Sequence, residues 1–228
     1  MKVISTKNIK KTYNPDTIPV KALKGVDLEI EQGEFTAIVG PSGSGKTTLL
    51  NIIGGLDRPT DGTIQVGGED ISKLSDNQLI DFRKNNIGFV FQSYNLIPVL
   101  TAKENVEFVM LLQNRSKEER DNRAEELLKA VGLSEKMNKR PSELSGGQQQ
   151  RVAVARALAS KPTFILTDEP TAKLYSKSTA NLLDIMAELN KEENITFVFS
   201  THDQRVIDRA RRVVTLVDGT IASDEVRN

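Results

Sequence analysis

Apolar residues in this chain fall into short runs bounded by turn-forming residues, and the runs predict the elements. Six read as strands: FTAIVG (35–40), TIQVGGEDI (63–71), IGFVFQ (87–92), TFILTDE (163–169), ITFVFSTHD (195–203) and VVTLVDGTI (213–221). Several are apolar at successive rather than alternate positions, the pattern of strands covered on both faces in a parallel sheet. The pairs Gly67-Gly68 and Asp218-Gly219 mark tight hairpins, and so antiparallel pieces. Helical spacing appears in KEERDNRAEELLKAVG, where Ala124, Leu127, Leu128 and Val131 share a face and Gly132 supplies a stop, and again in STANLLDIMAELN. Between residues 93 and 160 the signals are helical only, which reads as a helical lobe inserted between two strands. The expectation is an α/β fold with a mixed parallel sheet, an antiparallel β subdomain and an inserted helical subdomain. Residues 1–92 and 161–228 would form the core, and residues 93–160 the helical part.

Composition narrows the chemistry. With 228 residues, 38% of them apolar, the chain can fill one large core or a core with one inserted lobe. It has no cysteine, which excludes disulfides, thiolate metal sites and cysteine nucleophiles and suits a reducing cytosol. A metal would sit on oxygen ligands or on His202, the single histidine. Lys and Arg number 31, as do Asp and Glu, so no basic excess points to nucleic acid as a partner. No run approaches the roughly 18 apolar residues of a membrane span, and the start MKVISTKNIKKTY lacks the apolar core of a signal peptide. A cytoplasmic location is expected.

The first chemical motif is GPSGSGKTT, comprising Gly40, Pro41, Ser42, Gly43, Ser44, Gly45, Lys46, Thr47 and Thr48. It follows an apolar strand and precedes TLLNIIGGL, which can form a helix, so the G-x-x-x-x-G-K-[ST] spacing has the strand and helix it needs. Glycines let backbone N–H groups turn inward around phosphate oxygens, and a helix N-terminus adds positive potential. Lys46 would reach the terminal phosphates, and the Thr47 hydroxyl would ligate Mg²⁺. Asp168 and Glu169 end another apolar strand: Asp168 suits a metal shell, and Glu169 is placed to polarise an attacking water. Gln92 and His202 also end strands; from the residues alone each reads first as an ordinary polar terminus.

The stretch LSGGQQQRVAVARAL (144–158) carries a resemblance: the chain resembles the nucleotide-binding subunit of an ABC transporter. Two glycines after Ser145 expose amides where the helix starting near Gln148 presents its positive end. The resemblance implies ATP and Mg²⁺ as cofactors and two copies paired head to tail. Ser145, Gly146, Gly147 and Gln148 of each would cap the nucleotide held by the other. It also implies that Gln92 senses the γ-phosphate and metal, with Thr47 and Asp168 as fellow ligands, and that His202 contacts the γ-phosphate. Tyr13 would stack on adenine, although an aromatic after a short strand serves as readily in edge packing. The partner implied is a transmembrane permease, with the chain attached to the inner face of the membrane. The stretches NIIGGLDRPTDG and IGFVFQSYNLIPVLTAKENVEF resemble the branch serving lipoprotein release and macrolide or peptide export. There YNLIPVL (94–100) would form either a socket for a coupling helix or core packing of the helical lobe.

One stretch departs from the family. In TDEPTAKLYSKS, Lys173 and Tyr175 stand where the resemblance leads one to expect a neutral residue and an acid, in the loop that crosses the dimer. A phenol in place of a carboxylate removes a charge and acceptors and adds bulk. The expectation is retained nucleotide binding with weakened closure or cooperation between sites. Two alternatives stay open at this point. A soluble family member acting on DNA or ribosomes is disfavoured by the single cassette and balanced charge; a regulatory pseudo-ATPase is motivated by Tyr175 and disfavoured by Glu169.

Overall fold

The run TFVFS shows why this chain builds a sheet covered on both sides. All five residues, Thr196 to Ser200, are buried. Phe197 and Phe199 pack on one face with Phe35, Ile165, Val152 and Met186, while Val198 packs on the other with Ile38, Leu49, Ile52 and Phe164. A strand flanked by two cores has no polar face to alternate with, so its central residues Phe197, Val198 and Phe199 are apolar in succession.

The computed structural model describes residues 1–227, the side chain of Lys177 excepted. In chain order the elements are β1 (Lys2–Tyr13), β2 (Val20–Glu31), β3 (Phe35–Val39), α1 (Lys46–Ile53), β4 (Asp61–Val66), β5 (Glu69–Asp70), α2 (Asp76–Asn86) and β6 (Ile87–Phe91). There follow α3 (Ala102–Leu112), α4 (Lys117–Ala130), α5 (Gly146–Ala159), β7 (Phe164–Asp168), α6 (Ser176–Glu193), β8 (Thr196–Ser200), α7 (Gln204–Ile207), β9 (Arg212–Val217) and β10 (Thr220–Val226). One sheet has the order β10-β9-β3-β8-β7-β6, parallel except for the β9–β10 hairpin. A second, antiparallel sheet has the order β2-β1-β4-β5. The α/β class with mixed and antiparallel sheets and inserted helices is what the pattern predicts.

The register positions the site. Phe91, Asp168, Ser200 and Ile38 pair side by side across β6, β7, β8 and β3. Each strand therefore releases its next residues at the same carboxyl edge, where ligands bind in parallel sheets. The helical insertion lies between β6 and β7, and its helices start on local chemistry. Thr101 with Glu104, Ser116 with Glu119 and Ser145 with Gln148 each form a reciprocal capping box for α3, α4 and α5.

The two expected hairpins are present, and one strand end is corrected. The run 63–71 divides into β4, a turn at Gly67-Gly68, the two-residue β5 and a 3₁₀ turn that buries Ile71. The run 213–221 divides into β9 and β10 around Asp218-Gly219. The run 195–203 ends as a strand at Ser200, leaving His202 in the following loop. The long strands β1 and β2 and the helix α2 escape the pattern. In β1, register shifts occur between Thr6 and Ile9 and again after Lys11, so the alternation of buried residues breaks while Lys7, Lys10 and Lys11 interrupt the apolar run.

Candidate functional site

Gly40 leaves β3 with φ 147°, and a Cβ there would lie 2.0 Å from the Leu216 carbonyl oxygen of β9, so no other residue fits. Gly45 caps α1 in the left-handed region at φ 102° without any side-chain cap, and the first turn of α1 holds no acid. The helix thus begins with free N–H groups and no competing anion. Lys46 arches back over the loop, its Nζ donating to the carbonyls of Gly40 and Pro41 at 2.8 and 3.0 Å. Gly219 N–H donates to the Ser44 carbonyl at 3.0 Å and ties the loop to the β9–β10 hairpin.

A cleft of about 720 Å³ opens over this loop. Its lining includes Gly40 to Thr48, Gln92, Glu169, Ser200 and His202, with Val20, Lys21 and Ala22 of β2 as one wall. Among the described residues Ser44 Oγ and Ser200 Oγ are buried without a hydrogen-bond partner, so the floor offers polar groups to a ligand. Thr47 Oγ1 lies 3.5 Å from Asp168 Oδ1, which joins the helix start to the end of β7.

Glu169 takes a left-handed backbone, φ 47°, uncommon for a residue with a Cβ. Its N–H still bonds the Ser200 carbonyl at 2.9 Å, and its carboxylate turns toward the loop after β8. There Oε1 meets His202 Nδ1 at 2.7 Å and Oε2 accepts from Thr201 Oγ1 at 3.2 Å. The Glu169 side chain is mostly enclosed, 18% exposed, whereas His202 is 76% exposed at the cleft mouth. Thr201 in turn accepts from the Asp203 N–H at 3.0 Å, and Thr171 Oγ1 donates to Asp203 Oδ2 at 2.6 Å. Arg205 forks onto the same carboxylate and, with Thr171, holds the Asp203 pKa down at about 2. Thr171, Thr201 and Asp203 were missed in the sequence. Single polar residues in loops after strands carry no periodicity; only their adjacency to Glu169 and His202 could have flagged them.

Ser145 to Gln148 begin α5 on the helical insertion, outside the lining of this cleft. Ser145 Oγ accepts from Gln148 N–H at 3.4 Å, while Gln148 Oε1 accepts from Ser145 N–H at 2.9 Å. The first turn of α5 holds no acid either, so the positive helix end is left uncompensated by a side-chain carboxylate of its own. Tyr13 also stands apart from the lining. Its hydroxyl donates to Asp57 Oδ2 at 2.8 Å and Lys11 Nζ lies 4.9 Å from its ring centre. Tyr175 forms the N-cap of α6, makes no side-chain cap and is 89% exposed. In YNLIPVL, Leu96 packs against the helical core while Val99 is 70% exposed. Beside it a groove of about 290 Å³ is lined by Leu100, Glu104, Glu107, Phe108, Leu111 and Arg120.

Similarity to known proteins agrees with this arrangement. The ABC transporter family model matches residues 23–172. The ABC transporter ATP-binding protein MJ0796 of Methanocaldococcus jannaschii is 48% identical over 227 residues, 98% of this chain and 97% of its own. The lipoprotein-releasing system ATP-binding protein LolD 1 of Rhodopseudomonas palustris is 48% identical over 222 residues, 96% of this chain and 98% of its own. The macrolide export ATP-binding/permease protein MacB of Marinobacter nauticus is 44% identical over 222 residues, 97% of this chain but 34% of that longer protein. The solved dimeric, post-hydrolysis structure of the MJ0796 cassette, bound to ADP and Pi, superposes with a TM-score of 0.90 at 46% identity over 99% of both chains. Cleft, signature helix and whole-length similarity together establish that this chain belongs to the ABC transporter family, as an ATP-binding subunit.

Proposed function

We propose that the chain binds and hydrolyses ATP between two of its copies and passes the resulting motion to a membrane permease. The observation that carries this reading is Glu169, enclosed at the sheet edge and braced by His202 at 2.7 Å, beside a phosphate loop of intact spacing. Lys46 and the amides of Gly43 to Thr48 would bind the β- and γ-phosphates and offset charge that develops on them. Glu169 would take the proton of the attacking water, and His202, oriented by that carboxylate, would contact the γ-phosphate. Gln92 lines the same cleft and would read the γ-phosphate.

Thr47 and Asp168 offer two hard oxygen donors 3.5 Å apart, with the Gln92 amide nearby. Among the described residues no group of three or more His, Cys, Asp or Glu could hold a metal alone. Such a sparse oxygen set fits Mg²⁺, which keeps several waters and shares phosphate oxygens. When bound it would neutralise charge on the phosphates.

The MJ0796 cassette is dimeric, and the signature turn of α5 supports the same head-to-tail assembly here. MacB joins a similar cassette to a permease in one protein, which supports a separate permease as this chain's partner. Among the described residues no helix is long and apolar enough to cross a membrane, so attachment would come through the permease. The surface formed by Val99, Leu100, Phe108 and Leu111 would receive it at the cytoplasmic face. The branch assigned is that of lipoprotein release and macrolide export. The test is steady-state hydrolysis of MgATP by the chain against Glu169→Gln, with size measured in ATP. Hydrolysis well above the blank is expected, and a rate equal to it overturns the reading.

A further inference from the structure

The turn that carries the chain from Gln92 into the helical insertion is held by a half-buried arginine of α5. The Arg156 guanidinium donates through one nitrogen to the Asn95 carbonyl and through the other to the Tyr94 carbonyl at 2.9 Å. Both acceptors sit in the left-handed region, φ 59° at Tyr94 and 50° at Asn95. The turn is closed by Asn95 N–H on the Ser93 carbonyl at 2.6 Å and by Tyr94 N–H on the Phe91 carbonyl at 3.2 Å. Among the described residues no carboxylate forms an ion pair with Arg156. Burial therefore acts against its charge and pushes its pKa down.

A charge kept partly out of water without a counter-charge carries a desolvation cost that an apolar side chain would avoid. What an apolar residue cannot do is fix two successive carbonyls with one planar fork. The same turn touches α5 a second time. The Tyr94 hydroxyl lies 2.8 Å from where a Cβ on Gly146 would stand, so the ring covers the helix start and a larger residue there would displace it. Gly146 and Arg156 are separated by about 15 Å of helix rise. The turn is thus splinted along α5, from its phosphate-facing end to a point three turns on.

We propose that Arg156 is a positioning residue that joins the Gln92 turn and the glycine-rich start of α5 into one rigid body. A γ-phosphate engaged by Gln92 then sets the angle at which Ser145, Gly146 and Gly147 are offered to the second copy. This rests on the ATPase reading. The link acts on closure of the pair, after nucleotide has entered the cleft of one copy, so it governs turnover rather than first binding.

The test uses the purified chain, Arg156→Lys, Gln92→Ala and the double variant, with a fluorescent ATP analogue for binding and MgATP for turnover. Arg156→Lys is expected to keep analogue affinity and KM within about twofold while kcat falls about tenfold, the pattern of misplaced catalytic groups. In the Gln92→Ala background the same change is expected to cost less than about twofold, because the link has lost its far end. Should Arg156→Lys unfold, Tyr94→Leu removes the contact over Gly146 while leaving the Arg156 bonds to backbone, and the same pattern is expected of it. A kcat within twofold of the parent, or a penalty that multiplies fully with Gln92→Ala, overturns the proposal. A parent chain no faster than Glu169→Gln removes the ATPase reading and this inference with it.

Discussion

Glu169 and His202 face each other across the ends of adjacent parallel strands, Oε1 to Nδ1 at 2.7 Å, although 33 residues separate them in the chain. The carboxylate accepts, so Nδ1 carries the proton in this bond and the ring is held by the group proposed to activate water. Glu169→Gln is expected to lower hydrolysis by about a hundredfold or more, the usual worth of a general base. Nucleotide binding, built on the loop at Gly40 to Thr48, should survive, and the variant should form a stable pair in MgATP. Stopped hydrolysis without retained nucleotide affinity would mean that Glu169 shapes the cleft instead.

Tyr175 opens α6 without capping it. Tyr175→Asp restores an acceptor for the amides of the first helical turn and is expected to add about 1 kcal/mol of stability. In a chain of this size that raises Tm by roughly 2–4 °C, which calorimetry reads directly. An unchanged Tm would show that the first turn is already satisfied by water.

Lys173 Nζ lies 3.3 Å from Ser93 Oγ, tying the loop after β7 to the residue beside Gln92 in the same copy. Replacing both departures, Lys173→Asn with Tyr175→Asp, is expected to raise the ATPase rate and the Hill coefficient together. If neither moves, the crossing loop does not limit cooperation.

Asp203 has its pKa held down at about 2, chiefly by the Arg205 fork, against 3.8 ordinarily. A depressed carboxyl stabilises the fold above its unfolded pKa, and that contribution is lost as pH falls from about 4 towards 2. Asp203→Asn is expected to cost about 1 kcal/mol at pH 7, discounted for solvent screening. Urea unfolding should show the gap between parent and variant shrinking between pH 4 and pH 3. A gap that does not depend on pH would assign the loss to packing.

Val99 stands 70% exposed beside the groove of Leu100, Phe108 and Leu111. Val99→Asp is expected to leave the isolated ATPase within about twofold, as surface changes do. Co-purification with a co-expressed partner permease should drop about tenfold or more if the groove is the socket. Full retention would move the docking surface elsewhere.

The parts of the site that were legible in the sequence are those whose chemistry is written in consecutive residues. The phosphate loop needs glycines at set spacings before a helix, and Gly40 and Gly45 occupy positive-φ backbone angles that favour glycine. The caps of α3, α4 and α5 couple residues three apart, and the buried strands β7 and β8 declare themselves by unbroken apolar runs. By itself the sequence therefore determined the α/β class, the phosphate loop, the acidic pair at 168 and 169 and the signature turn.

Only the tertiary structure decided which strand ends stand side by side, and so that Glu169 is braced by His202 and Thr201, and that Thr171 meets Asp203. It decided that Arg156 reaches back over 60 residues to the turn after Gln92, and that β1 pairs with β2 across register shifts that break the alternation of β1. The physical reason is the same in each case. A periodic pattern records which face of an element is buried, whereas a long-range hydrogen bond depends on sheet order and register, which are settled when the separate apolar faces pack into common cores.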